Sequence, residues 1–258
     1  MINLYRFKLL EAYPKCFHAV TMKSNSAFFR FSLALHTGET PEYILRNRRQ
    51  VERVFNTSGK LNFVIANQIH SDNIYVVTKR ETAGWKDQKS AVKNCDALIT
   101  NQKEVMLGIL TADCVPVLLY DYAHQVVAAI HAGWKGTKAK IVFKTVKKMQ
   151  QTYGSNPEEI IAGIAPSIGK CCYEVGKEVA VHFCEYSNAL QQKADKYMLD
   201  LPLINRAHLM EAGLQERNIE MSGICTACDT KHFFSYRQEQ KCSGRFMSLI
   251  GISPFDKK

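Results

Sequence analysis

No stretch of this chain combines a basic start, an apolar run and a small-residue cleavage site, so a secretory signal is not expected. Nor does it hold an unbroken apolar run of the ~20 residues that a membrane helix requires. Its most apolar stretch, residues 105–120, is interrupted by Asp113. Internal repeats, low-complexity tracts and linkers are missing too, which makes a single domain over residues 1–258 the economical organisation. The glycines match neither the Walker nor the dinucleotide-binding spacing. Cysteine is not scarce, but nine is an odd number and the residues are scattered. That pattern suits reduced thiols in the cytoplasm better than a disulfide framework.

What is present is an ordinary globular composition, 46% hydrophobic and 22% charged, with a net charge of +10. Much of the excess is lysine spread along one helix-like segment (Lys138, Lys140, Lys144, Lys147 and Lys148), which reads as a solvated face. No nucleic-acid-binding motif accompanies it, and no nucleic-acid or membrane partner is expected. A basic field does favour phosphorylated or anionic substrates.

The chain is organised around residues 108–137. A polar cluster of Thr111, Asp113 and Cys114 leads into VPVLLYD, a turn at 122–125, and a return through VVAAIHAGW. Two strand-length arms rich in Val, Ile and Leu predict a β-hairpin. A two-residue loop at Tyr122 and Ala123 would set Cys114 opposite His131 on one face, and a slip by two residues would leave them diagonal neighbours there. A thiol and an imidazole so placed can ligate a soft metal or form a Cys–His nucleophile pair; a buried Cys beside a hydrogen-bonded core His is the plainer alternative.

Before this hairpin, FHAVTM and AFFRFSLAL read as short strands. A helix is predicted from Thr40, with Pro41 at its first position and Ile44, Val51 and Phe55 as the apolar stripe. Arg48 within it is either a surface residue or an anion contact. Two apolar runs flank Asn67–Gln68–Ile69–His70, and His70 at that break could project into a cleft. NCDALIT forms a short strand carrying Cys95 and Asp96. After the hairpin, Gly133 and Gly136 precede a helix capped by Thr137, whose start is a weak candidate for holding phosphate, with Lys135 beside it. Adjacent Cys171 and Cys172 are poorly suited to chelate one ion together and are read as packing; Tyr173 and Glu174 are candidate substrate contacts. Cys225 and Cys228 form a lone CxxC, half of a structural zinc site with no second half in view. LDLPLINRAHLMEAGL predicts a turn and then a helix with Ile204, Leu209 and Leu214 apolar. HFFSYRQEQKCSGRFMSLIGI predicts two strands around a turn, with Arg237 and Arg245 on the surface or facing the site.

NQIHSDNI, CDALIT, LTADCVPVLLYD, AAIHAGWKGT, GIAPSIGKCCYEVGKEV and FFSYRQEQKCSGRFMSLI occur here in an order that resembles the YfiH-type laccase-domain family. Its members are also described as purine nucleoside phosphorylase, polyphenol oxidase and peptidoglycan editing factor. The similarity covers nearly the whole chain. It implies an α/β (α+β) sandwich of mixed β-sheets flanked by helices, with His70, Cys114 and His131 as zinc ligands. The chain departs from the family at Lys23–Ser24–Asn25, where an Arg and a Gly-rich turn are usual, and at Ser32, where an Asn is usual. Both changes bear on substrate preference.

The activities credited to the family are phosphorolysis of adenosine, inosine and methylthioadenosine, deamination of adenosine, copper-dependent phenol oxidation, and removal of a misincorporated amino acid from murein precursors. Laccase-type oxidation needs several copper ions and a histidine-rich ligand set, whereas this chain has eight His and no HxH pair, though copper could occupy the His₂Cys set. Deamination suits zinc, which lowers the pKa of bound water to ~7, although the HxE…PCxxC signature of other zinc deaminases is absent. Phosphorolysis needs an anion pocket, for which Arg48, Lys135 and Arg237 are candidates. The expectation is therefore a cytoplasmic, zinc-dependent purine nucleoside enzyme, a monomer or homodimer acting on purine nucleosides and phosphate. Cys114, Asp113 and His131 are its candidate catalytic residues, and Arg48, Gln68, Lys135, Tyr173 and Arg237 its candidate substrate contacts. The alternatives are an amidase with Cys114 as nucleophile and His131 as base, and a non-catalytic module stabilised by zinc.

Overall fold

The computed structural model describes residues 2–55, 61–240 and 244–253. In chain order the strands are β1 (Leu4–Tyr5), β2 (Cys16–Thr21), β3 (Asn62–Ile65), β4 (Ile74–Val76), β5 (Ala97–Thr100), β6 (Val105–Thr111), β7 (Val115–Asp121), β8 (Val126–Ala132), β9 (Ile160–Ile164), β10 (Glu174–Val175), β11 (Leu190–Lys193), β12 (Lys196–Leu199), β13 (Ile219–Met221) and β14 (Phe246–Ile252). The helices are α1 (Lys8–Glu11), α2 (Pro41–Phe55), α3 (Trp134–Lys138), α4 (Ile141–Tyr153), α5 (Lys177–Ala180) and α6 (Leu201–Glu211). One sheet runs β1-β2-β14-β6-β3 and a second β13-β9-β7-β8-β5-β4; β10, β12 and β11 form a small third. Both large sheets are mixed, with β3–β6, β4–β5 and β9–β13 parallel and the remaining pairs antiparallel.

Side chains alternate faces along a strand, and here both faces are covered. From β6, Val105, Leu107 and Ile109 meet Leu118 and Tyr120 of β7 and Val127 and Ala129 of β8, forming the core between the two large sheets. Met106 and Leu110 point the other way, toward Val51 and Phe55 of α2 and the Trp85 ring. Val117 and Leu119 face Val142, Val146 and Met149 of α4 and Ile204 and Leu209 of α6. Strands buried on both sides read as continuous apolar runs, which is why residues 105–120 show no alternation. That run is two strands of different sheets, joined by a corner at Ala112–Asp113–Cys114 in which Asp113 has φ +84°.

The hairpin forms with a shifted register. Asp121 pairs with Val126 and Pro116 with His131, so the connection has four residues, 122–125, rather than two. Buried Asp121 accepts hydrogen bonds from the Ala123 and His124 amides at 2.9 and 3.0 Å, which sets the wider loop. Cys114 and His131 are diagonal, and Gly133 takes the place opposite the thiol.

Other expectations are corrected. AFFRFSLAL is not a strand: Phe29, Arg30 and Phe31 have φ of +48°, +53° and +71° in a 3-10 turn. The Asn47 amide of α2 holds that turn through the Phe28 and Ser32 carbonyls, overriding β propensity. Thr137 caps no helix. It lies within α3 and accepts from Asn205, while Lys140 in a left-handed conformation starts α4. Of the two strands expected near the end only β14 forms among the described residues; residues 232–239 are turns and irregular chain, and the intervening 241–243 lie outside the described residues. No described helix is long and apolar enough to cross a membrane.

Candidate metal centre

His70, Cys114 and His131 come from three separate places: the loop after β3, the corner between the sheets, and the end of β8. Their donor atoms all lie within 4.8 Å of one another, with Cys114 Sγ 3.8 Å from His70 Nε2. A Cβ on Gly133 would sit 2.9 Å from the His70 ring and 3.2 Å from the sulfur, so only glycine leaves room for the trio to close. Two imidazoles and a thiolate make a donor set that fits zinc, or a single copper ion, and leaves one tetrahedral position open.

Asp96 organises the trio, and sequence reasoning gave it no role. Its carboxylate is fully buried. Oδ1 accepts from His131 Nδ1 at 2.8 Å and from the His70 amide at 3.0 Å. Oδ2 accepts from the Ser71 amide and hydroxyl, each at 2.7 Å. The first contact leaves His131 Nε2 free to be a ligand; the second pins His70 at φ +60°, a conformation costly for a residue with a Cβ. Burial works against this carboxylate, but the bonds from His131 and Ser71 prevail and hold its pKa at about 2. The available signal was positional: Asp96 directly precedes β5, which pairs with β8 so that Asp96 falls opposite His131.

Burial also opposes ionisation of Cys114, yet the charge and hydrogen bonding of His131, with His70 beside it, bring the thiol below its usual range. His131 moves the other way: burial favours the neutral ring, but Cys114 and Asp96 raise it above the usual imidazole value. The two shifts are reciprocal: the thiolate favours the charged ring, and the charged ring favours the thiolate.

A pocket of about 490 Å³ opens over the three donors and is also lined by His36, Gln68, Gln88, Thr111, Tyr236 and Arg245. A neighbouring one of about 800 Å³ shares His36 and Arg245. Gln88 Oε1 and Thr111 Oγ1 are buried without hydrogen-bond partners. Buried polar atoms are rarely left so, and these two face a ligand-sized space.

The remaining candidates are distributed unevenly. Gln68 lines the pocket, but its amide pairs both ways with the Leu110 backbone at 2.8 and 2.9 Å, extending the sheet by one side chain. Arg48 is corrected outright: it is fully buried, its guanidinium donating to the Leu33, Gly84 and Trp85 carbonyls, and it does not line the pocket. Lys135 is exposed on α3 over the Trp134 ring. Asp113 adjoins Cys114 in sequence, but both its oxygens are engaged, by the Thr226 hydroxyl at 2.7 Å and the Arg237 amide at 2.6 Å. It ties loops together and does not line the pocket. Arg237 lies 5.4 Å over Tyr173 and donates to the Glu174 carbonyl at 3.0 Å. Burial first, then the Cys114 and Asp113 charges, push the Tyr173 phenol up to about 12 against the opposing effect of Arg237, which puts this pair close to the thiol. The atypical Lys23 is buried, donating to Glu239 at 2.7 Å and to the Thr230 carbonyl at 2.9 Å; Ser32 accepts from the Arg245 amide at 3.2 Å.

Comparison with known proteins places the chain in a family. The family described as multi-copper polyphenol oxidoreductase laccase matches residues 18–253. The chain belongs to that family. Within it, the chain is 37% identical over 235 residues to a Bacillus subtilis protein named purine nucleoside phosphorylase YlmD, covering 89% of this chain and 84% of that one. It is 36% identical over 196 residues to a protein from an unknown prokaryotic organism named adenosine deaminase RL5, covering 73% and 74%. The crystal structure of a Bacillus licheniformis hypothetical protein, YfiH, superimposes with a TM-score of 0.87 at 32% identity over 92% of this chain and 93% of that one. The mixed-sheet sandwich is thus that of the family, and homologues carry the names of purine nucleoside enzymes.

Proposed function

We propose that this chain is a zinc-dependent purine nucleoside enzyme that cleaves adenosine, inosine or methylthioadenosine with phosphate and also deaminates adenosine. What carries the reading is the convergence of His70, Cys114 and His131 on a pocket that also presents Arg245 and two buried, unpartnered polar atoms. His70, Cys114 and His131 would hold the ion, which when bound supplies Lewis acidity and lowers the pKa of a water. The rest falls to the chain. Gln88 and Thr111 offer hydrogen-bonding atoms to a purine edge, and the half-exposed Tyr236 ring, itself 5.6 Å from the Arg245 guanidinium, offers a stacking face. Arg245 forms the cationic side suited to phosphate. His36, kept toward the neutral form by burial and by the Arg245 and Arg48 charges, stands beside it as a hydrogen-bonding group. In phosphorolysis a phosphate oxygen bonds to the sugar's anomeric carbon as the bond to the purine nitrogen breaks, and that nitrogen gains a proton. Asp96 orients the His131 imidazole and fixes the His70 backbone throughout, and Asp113 keeps the loops around Cys114 in place.

The Cys114–His131 thiolate–imidazolium pairing favours a second reading, an amidase acting on murein precursors with Cys114 as nucleophile and His131 as acid–base. Zinc-loaded protein incubated with adenosine, with and without phosphate, separates these. Phosphate-dependent adenine and ribose 1-phosphate establish phosphorolysis, and phosphate-independent inosine and ammonia establish deamination. The absence of both products would overturn the nucleoside reading and leave the amidase, whose turnover a chelator would spare.

A further inference from the structure

The chain's other sulfur-rich region is not the isolated CxxC that its sequence suggests. Parallel strands β9 and β13 pair Ile219 with Ala162 through Met221 with Ile164, and the pairing continues beyond their ends through a bridge between Ser167 and Cys225. Thr226 donates its amide to the Ser167 carbonyl at 3.0 Å. Two loops are thereby laid side by side, one bearing Cys171 and Cys172 and the other Cys225 and Cys228. The expectation that the adjacent pair packs inertly fails: Cys171 and Cys228 are exposed, Cys172 and Cys225 half-buried, and all four sulfurs lie within 4.8 Å of one another.

Cys228 Sγ stands 3.6 Å from Cys171 Sγ and 3.4 Å from Cys172 Sγ. Four thiolates held tetrahedrally about one zinc ion at ~2.3 Å would be about 3.8 Å apart; the two Cys228 separations are close to this, and the whole set lies within 4.8 Å. The Gly169 amide donates to Cys225 Sγ at 3.2 Å, an orientation that favours a thiolate. A Cβ on Gly169 would meet Cys225 Cβ at 3.3 Å and Cys171 Sγ at 3.5 Å, so the turn is drawn tightly over the sulfurs. With four protein donors no position is left for substrate, which is the arrangement of a structural site.

We propose that Cys171, Cys172, Cys225 and Cys228 form a tetrathiolate site for a single structural zinc ion, which clamps the 165–173 and 224–237 segments together. Both segments reach the catalytic corner. Ile168 donates its amide to the Asp113 carbonyl at 2.8 Å, and Thr226, between the two clamp cysteines, donates to the Asp113 carboxylate. Tyr173 directly follows Cys172. The clamp therefore acts as a tether behind Cys114, and its occupancy does not depend on which reaction the pocket performs.

The test uses full-length Cys114→Ala protein, in which the central trio is broken and all four clamp cysteines remain. Purified under reducing conditions, it retains one equivalent of zinc. Exchanged with cobalt(II), it shows the intense visible bands and thiolate-to-cobalt charge transfer of a tetrahedral four-sulfur centre. Adding Cys171→Ser, a surface change, weakens and shifts those bands, and adding Cys225→Ser with Cys228→Ser abolishes them. No zinc in the Cys114→Ala protein, a cobalt spectrum without four-sulfur character, iron in place of zinc, or a disulfide among the four in the metal-loaded native protein would each overturn the proposal.

Discussion

The two cysteine-bearing clusters have different scaffolds, and the scaffold divides their roles. At the central trio the donors sit where β8 and the inter-sheet corner emerge from a close-packed core; His131 is buried, and a buried carboxylate orients its imidazole and holds the His70 backbone. The trio opens onto a pocket, and among the described residues no fourth donor joins it. In the clamp the four donors ride on loops, two of them exposed, with an amide rather than a carboxylate beside the sulfur. Rigid strands and an oriented imidazole hold a reactive position open; two loops and a full thiolate shell close one. An ion in the first site alters chemistry, and an ion in the second alters which loop conformations the chain can keep.

The strongest way to break this contrast is Cys114→Ala. Turnover on the nucleoside falls to background and one zinc equivalent is lost, while circular dichroism and the melting temperature stay near those of the parent, because the side chain lies partly exposed at the pocket floor. Activity that survived would remove Cys114 from the site. A smaller effect is expected at Asp96. Asp96→Asn preserves shape but removes the charge that fixes the His131 tautomer, and loss of such a partner lowers metal affinity about 10–100-fold. Competition against a chromophoric chelator measures it in the central site while the clamp keeps its ion. Unchanged affinity would show that the strands alone orient the imidazoles.

That division was half legible in the sequence. The hairpin arms, α2, β2 and the strand of CDALIT follow from apolar patterning, and the candidate trio, whose side chains the fold brings together, came from family resemblance added to a plausible hairpin face. The register missed by two residues because no Asn-Gly or Asp-Gly marks the turn; the Asp121 side chain sets it instead. Arg48 was misread because nothing local tells an inward guanidinium from an outward one. Its partners, Leu33, Gly84 and Trp85, lie on segments that only the fold brings together. The clamp went unseen for the same reason: its halves lie more than fifty residues apart and meet through the β9–β13 pairing. Gln88, in a segment that reads as polar loop, gave no signal at all.

The clamp and the trio also set different limits under chelation. A competing chelator has access to the open fourth position of the trio but meets a closed four-sulfur shell at the clamp. Titrating chelator into the zinc-loaded protein should therefore remove turnover first, with the melting temperature falling only in a later step. A single step in which activity and stability fall together would mean that one ion serves both, and the distinction between the clusters would collapse.

The smallest expected effect separates acid loss of metal from acid loss of fold. His18, on β2 and remote in sequence from both clusters, is buried; burial, then the Arg6 charge, hold its imidazole at about 4, and its Nε2 accepts from the Phe7 amide at 2.9 Å. An unfolded histidine titrates near 6.5, so between ~6.5 and ~4 the unfolded chain binds the extra proton and the folded one refuses it. The stability that this neutral ring lends is complete above ~6.5 and declines as the pH falls, by about 1 kcal/mol at pH 5.5. His18→Gln keeps an acceptor for the Phe7 amide and cannot titrate. Any loss of zinc in acid is common to both proteins, so the difference in their urea midpoints between pH 7 and 5.5 isolates His18, with the parent falling more steeply. Parallel curves would assign the whole acid transition to protonation of the metal-binding thiolates and imidazoles.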